Sequence, residues 1–195
     1  RDFLQRHLGA TAPERYVSLH RQAARWFHQR DRMEEAFEHH LAAGDYPQAA
    51  ELAEQCALAF FGQGKLETLL RWRRELATAH TPSPWLAYAC AMVHSDRYAY
   101  DEAEAALQEA EPTVGPRATI QRAFLAQQRG HYHEALRLVD VLSAAHPGHV
   151  RTVGLRELHR DVAHAARGAE NEHAAPTLQA ADLEEPLPRR RAGDG

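Results

Sequence analysis

Four pairs of small or apolar residues, each pair twelve positions apart, constrain the fold of this chain more than any other feature. Ala24 precedes Ala36, Ala57 precedes Leu69, Ala91 precedes Ala103, and Ala123 precedes Ala135. The second members follow one another at steps of 33, 34 and 32 residues. Two helices of a hairpin approach closely only where no bulky side chain intervenes, so a small residue at a fixed offset on each helix marks their crossing point. A period of this length indicates supersecondary units that bury their apolar faces by stacking on one another.

The breaks agree with that period. Each pair brackets a short interruption: Asp31-Arg32-Met33, Gly64-Lys65-Leu66, Tyr98-Ala99-Tyr100 and Gly130-His131-Tyr132. Met33, Leu66, Tyr100 and Tyr132 each stand three residues before the second pair member, where they are expected to cover the hairpin joint. Gly44, Gly64, Gly130 and the prolines at 82–84 and 112–116 cut the chain into pieces of helix length. Tyr16, Leu19, Ala23, Trp26 and Phe27 make one apolar helical stripe, and no segment alternates with period two. The apolar share is rich in Ala and Leu, which favours helix over sheet.

Within HLAAGDYPQAAELAE, residues 40–54, Gly44-Asp45-Tyr46-Pro47 looks like the inside of a hairpin, but its phase places it between the first two units. Gly44 is expected to end one helix, Asp45 to cap the next, and Pro47 to fall in its first turn.

Residues 130–147, GHYHEALRLVDVLSAAHP, resemble a tetratricopeptide repeat through Gly130-x-Tyr132-x-x-Ala135 and Pro147. The other units are degenerate, with Leu69 in place of an alanine and Leu107 in place of an aromatic. The resemblance implies an all-α, right-handed solenoid of tetratricopeptide-like hairpins over 13–168, after a lead-in at 1–12. VRTVGLRELHRDVAHAAR, beginning at Val150, reads as a capping helix for the stack. The segment 169–195 mixes charge, proline and glycine with few large apolar residues and reads as a disordered tail.

A second resemblance covers about residues 1–112. RDFLQRHL, LHRQAARWF at 19–27, EEAFEHHLAAGDYPQAAELAE at 34–54, LLRW at 69–72 and PWLAYACAMV at 84–93 follow in the order seen in the central region of MalT-type, LuxR-terminated, ATP-dependent transcriptional regulators. It implies a sensor or coupling region that transmits effector binding. The sequence has neither a Gly-x-x-x-x-Gly-Lys-Ser/Thr phosphate loop nor a recognisable helix-turn-helix after residue 150. The chain therefore reads as the middle of such a regulator, or as a truncated relative, with a free-standing repeat adaptor as the alternative. Its start, Arg1-Asp2-Phe3, is neither a methionine nor a signal peptide, which fits a piece of something longer.

Composition narrows the partners. Acidic residues outnumber basic ones 27 to 23, so no overall positive field draws a phosphate backbone, and direct nucleic-acid contact is not expected. Arg71, Arg73 and Arg74, with Arg21, Arg25, Arg30 and Arg32, are locally basic but interleaved with acids, as on a solvated face. Cys56 and Cys90 sit among alanines and leucines, which suits small buried hydrophobes in a reducing, cytoplasmic setting. No apolar run reaches the roughly 18 residues needed to span a bilayer.

Fourteen histidines invite a metal reading, yet His39 and His40 diverge by about 100° on a helix. His159 and His164 share no face either, and His131, His133 and Glu134 form the one cluster with suitable spacing. No nucleophile motif is present, so no enzymatic activity, cofactor or metal is expected. In tetratricopeptide proteins the first helix of each unit lines a concave groove. Carried over, those positions are Trp85, Tyr88 and Met92, then Arg117, Gln127 and Gln128, then Arg151 and Asp161. Aromatics mixed with amides and charges suit a surface that reads a peptide, protein or small-molecule effector. Trp85 and Tyr88 suit packing between helices equally well.

Overall fold

The computed structural model describes residues 10–145 and 159–165, and among these no strand occurs. Eight helices follow in order: α1 Pro13–His28, α2 Met33–Ala42, α3 Tyr46–Gly62, α4 Leu66–Thr78, α5 Pro84–Asp96, α6 Tyr100–Val114, α7 Pro116–Gln128 and α8 Tyr132–Ala145. A further helical stretch covers 159–165, within the expected capping segment. The expected tail at 169–195, the lead-in at 1–9 and Pro147 lie outside the described residues. The chain divides into two compact units at Gly115/Pro116, where the sequence suggested one repeat domain over 13–168.

All eight residues of the four pairs are fully buried, Leu69 included. Within the first unit α1 packs on α2, α3 on α4 and α5 on α6, while α3 also packs on α5. Met33, Leu66, Tyr100 and Tyr132 each begin the second helix of a hairpin and are half-buried, in keeping with a cover over the joint.

Turn chemistry repeats with the same period. Asp31, Gly64, Tyr98 and Gly130 all adopt a left-handed backbone, at φ between 58° and 78°. At Gly130, the N–H donates to the carbonyl of Gln127 and the next N–H, of His131, donates to Ala126. The same two bonds close the turns at Asp31, Gly64 and Tyr98, so each first helix ends in a Schellman motif. Gly44 and His80 end α2 and α4 with the same wiring. A Cβ added at Gly64 would meet nothing within 4 Å, so its glycine is required by conformation alone. Gly64→Ala should therefore cost roughly 1–2 kcal/mol, seen as a lower urea midpoint with an unchanged slope.

Buried faces follow helical spacing. In α3, Ala49, Ala53 and Ala57 form one row and Leu52, Cys56 and Phe60 the adjoining one; in α4 the buried set is Leu69, Trp72 and Leu76. Helix α5 differs, because every residue from Leu86 to Val93 is buried. It lies against α3, α4 and α6, and a helix apolar on all sides is one surrounded by others. In the second unit, Ala123, Phe124, Ala126, Ala135, Val139, Leu142 and Val162 form one core.

Three local expectations are corrected. Leu19 and Trp26, in the apolar stripe of α1, are exposed, and Ala24 is the helix's buried residue. Arg30 lies over the Trp26 ring at 3.8 Å, a contact that partly shields the indole face without burying it. Pro112 does not break α6: the helix runs past it to Val114, and the chain leaves the helix only at Gly115. Asp45 stands at the N-cap of α3 but makes no side-chain cap. Its carboxylate turns to Arg21 instead, since a paired charge-assisted bond is stronger than a single bond to an amide.

Candidate functional site

The expected groove residues fall into two groups, one in each unit. Trp85, Tyr88 and Met92 share a face of α5 at helical spacing. Trp85 is half-buried, its backbone N–H donating to Glu54 Oε1 at 3.2 Å, and its ring meets Tyr88 edge-on at 6.2 Å. Tyr88 and Met92 are core residues, each 5% exposed. In the second unit Gln127 is buried, whereas Arg117 and Gln128 on α7 and Asp161 on the 159–165 stretch are half-buried. Arg151 lies outside the described residues. Helix α5 carries no charge between Pro84 and Val93, and that signal marks a buried helix rather than a ligand-reading face.

The basic cluster is largely matched by carboxylates. Lys65 pairs with Glu34 at 2.8 Å and Arg71 with Glu38, linking α4 to α2. Arg97 pairs with Glu67 at 2.6 Å, and Arg73 on α4 with Glu109 on α6 at 2.8 Å. Arg21 holds Asp45, and Arg32 holds Glu35. Four of the seven arginines noted in the sequence are thus paired, which favours a solvated, charge-matched face over an anion site. The cysteines are inert: burial pushes the Cys90 thiol up to about 12 and raises that of Cys56.

Histidines gather at a place the sequence reasoning passed over. Four of them lie at the α1–α2 hairpin and its exit. His20 on α1 and His39 on α2 meet Nδ1 to Nδ1 at 2.8 Å, so one ring donates and the other accepts. The His20 ring also tilts against Tyr16 at 4.3 Å, and the His39 ring stacks on Phe27 at 5.2 Å and 13°. His40, next along α2, has a buried Nδ1 with no partner among the described residues. Burial lowers the pKa of His20, with His39 adding to the effect. Burial likewise lowers that of His40, with His28 adding and Asp45 opposing.

Beside this joint Arg21 donates twice to Asp45, at 2.7 and 2.6 Å. Those hydrogen bonds hold the Asp45 carboxyl below its ordinary range. The useful signal was the spacing of His20 and His39, nineteen apart across a predicted hairpin turn. Counting neighbours on a single helix could not reveal it. Among the described residues, no three His, Cys, Asp or Glu side chains converge as a metal centre would require. His131 and Glu134 approach at 3.6 Å on the surface, where both are well exposed.

Among the described residues these features define a set of helical hairpins joined by ion pairs and hydrogen bonds between helices. Over 131 residues the chain is 37% identical to the serine/threonine-protein kinase PknK of Mycobacterium tuberculosis, in strains CDC 1551 / Oshkosh and ATCC 25618 / H37Rv. PknK of Mycobacterium bovis is equally similar. The match takes in 66% of this chain but 12% of the kinase, so the chain spans a small part of the relatives' length. No family model and no solved structure matches the chain.

Proposed function

We propose that this chain is a non-enzymatic, tetratricopeptide-like sensor or coupling region, of the kind found in the middle of MalT-like regulators, that binds an effector or partner protein. The observation that carries the reading is the burial of all eight repeat-pair residues at positions set by one period. In stacked-repeat proteins, units of this kind form extended surfaces that are used for binding. Similarity to 12% of a protein named as a kinase leaves room for the same role, as one stretch of a larger protein.

A phosphotransfer role has one candidate motif, His159-Arg160-Asp161. In kinases that tripeptide lies on a loop and is followed by an asparagine five positions after the aspartate. Here it lies in a helical stretch, and position 166 is Ala. The lysine that pairs with nucleotide phosphates stands on a strand in kinases. Lys65 is the chain's one lysine, and it sits before α4 bound to Glu34.

Incubating the purified chain with magnesium, labelled ATP and a generic protein substrate should give no transfer above buffer. Transfer that Asp161→Ala abolishes would refute the non-enzymatic reading. Sequencing the flanking gene addresses the other half of the proposal. A phosphate loop upstream and a helix-turn-helix downstream would support the regulator, whereas a start codon directly before Arg1 would favour a free-standing adaptor.

A further inference from the structure

We propose that the outer face of α1 is a docking surface for α6 of a second copy, so that copies of the chain join head to tail. Within the first unit α1 packs chiefly on α2 and α6 chiefly on α5, and these two helices begin and end its order. The end helices of stacked repeats need a polar outer face if copies are to stay apart. Helix α1 lacks one. Leu19 and Trp26, seven residues apart and so on one face, are 45% and 44% exposed.

Charge selects what covers them. Arg15 lies one turn before Leu19, Arg25 precedes Trp26, and Arg30 lies over the Trp26 ring. All three are exposed, and none has an ion pair among the described residues. Arg21 on the same helix, by contrast, holds Asp45, as Lys65 holds Glu34. The acids of this stretch are turned elsewhere: Glu14 lies about 140° round the helix from Leu19, and Asp31 acts on the Cys56 thiol of α3. Two apolar side chains thus sit among unmatched positive charges.

Helix α6 carries the complement. Its charged side chains are all carboxylates: Asp101, Glu102, Glu104, Glu109 and Glu111. Asp101, Ala105, Gln108 and Pro112 recur at helical spacing and are exposed, with Glu102 and Glu109 exposed beside them. Glu109 also holds Arg73 of its own copy. Ala105 and Pro112 are seven residues apart, as Leu19 and Trp26 are, a separation of about 10.5 Å along either helix. With the two helices side by side, two bulky side chains of one copy lie over two small ones of the other, and arginines meet carboxylates on the flanks. The docking face and its occupant differ, so the contact is heterologous and each copy keeps one face open for the next. This association needs no effector and stands apart from the binding of one.

Sedimentation equilibrium of the full chain tests this. At low salt the weight-average mass should more than double between about 10 μM and about 1 mM, as a contact of about 100 μM affinity requires. It should return toward the monomer in about 1 M salt, where the screening length falls to about 3 Å. Arg15→Glu/Arg25→Glu leaves α6 intact, and Glu102→Lys/Gln108→Lys leaves α1 intact; each variant alone should stay monomeric. An equimolar mixture should regain association, through the unaltered α1 of one variant and the unaltered α6 of the other. A wild type that stays monomeric at low salt, association that either variant leaves unchanged, or a mixture that stays monomeric would overturn the proposal. Should circular dichroism show that a charge variant has lost its helices, Leu19→Ser/Trp26→Ser takes its place, and association equal to that of the wild type rejects the α1 face.

Discussion

Trp72→Ala should destabilise the first unit by about 3–5 kcal/mol, the range for truncating a buried aromatic. Trp72 is fully buried and stacks on Phe37 at 4.4 Å and 16°, with Phe60 tilted against it at 5.1 Å. These three rings come from α4, α2 and α3, so the indole joins the first hairpin to the second. Its removal opens a cavity between units of the repeat, which the surrounding alanines are too small to fill. Trp72 Nε1 has no partner among the described residues, which separates size from polarity. Trp72→Phe keeps an aromatic stack and removes an unpaired donor, so it should cost less than about 1.5 kcal/mol. Urea unfolding followed by circular dichroism at the same pH compares the two. A loss below about 1 kcal/mol for the alanine variant would show that the stack does not hold the hairpins together.

How far the sequence discloses this arrangement depends on the type of interaction. The repeat pairs were readable because close helix packing imposes a local rule, a small residue at a fixed offset, and all eight positions proved buried. The hairpin turns were readable for the same reason at Gly64 and Gly130, where a left-handed backbone favours glycine. They were less readable at Asp31 and Tyr98, where other residues accept that conformation. The α1 stripe misled because Leu19 and Trp26 have the right spacing yet stay exposed. Periodicity reports which residues share a face, not whether another helix lies against it.

The candidate sites were less accessible still. The groove assignment treated α5 as the first helix of an ordinary unit, whereas α3, α4 and α6 surround it and draw Tyr88 and Met92 inward. Its uncharged run from Pro84 to Val93 was the available warning. The histidine joint depends on a pairing across a turn, and the Asp45 bond to Arg21 spans 24 residues. Neither has a local sequence rule. Repeats predict equivalent contacts well, but contacts made once, at the first hairpin alone, are specified by residues that no period connects.

That distinction leads to a second large effect, at one repeat position with opposite demands in two units. Leu69 and Ala103 are equivalent members of successive pairs, and both are fully buried. Leu69→Ala should cost about 2–5 kcal/mol, although alanine occupies the equivalent place in the other three units. Leu69 is fully buried on α4 one turn before Trp72, the ring on which Phe37 and Phe60 both pack, so a smaller side chain leaves a void in a close-packed core. Ala103→Leu should cost about 1–3 kcal/mol for the opposite reason. Helix α6 lies against α5, which is buried on all sides, and three further methyl-sized groups would force the two helices apart. The double change Leu69→Ala/Ala103→Leu conserves total core volume, yet the two sites lie in different hairpins. If each unit is packed on its own terms, the double variant loses the sum of the two single losses, within about 0.5 kcal/mol. Recovery of most of that loss in urea unfolding would mean that the core redistributes volume along the stack, and that the period governs composition rather than individual contacts.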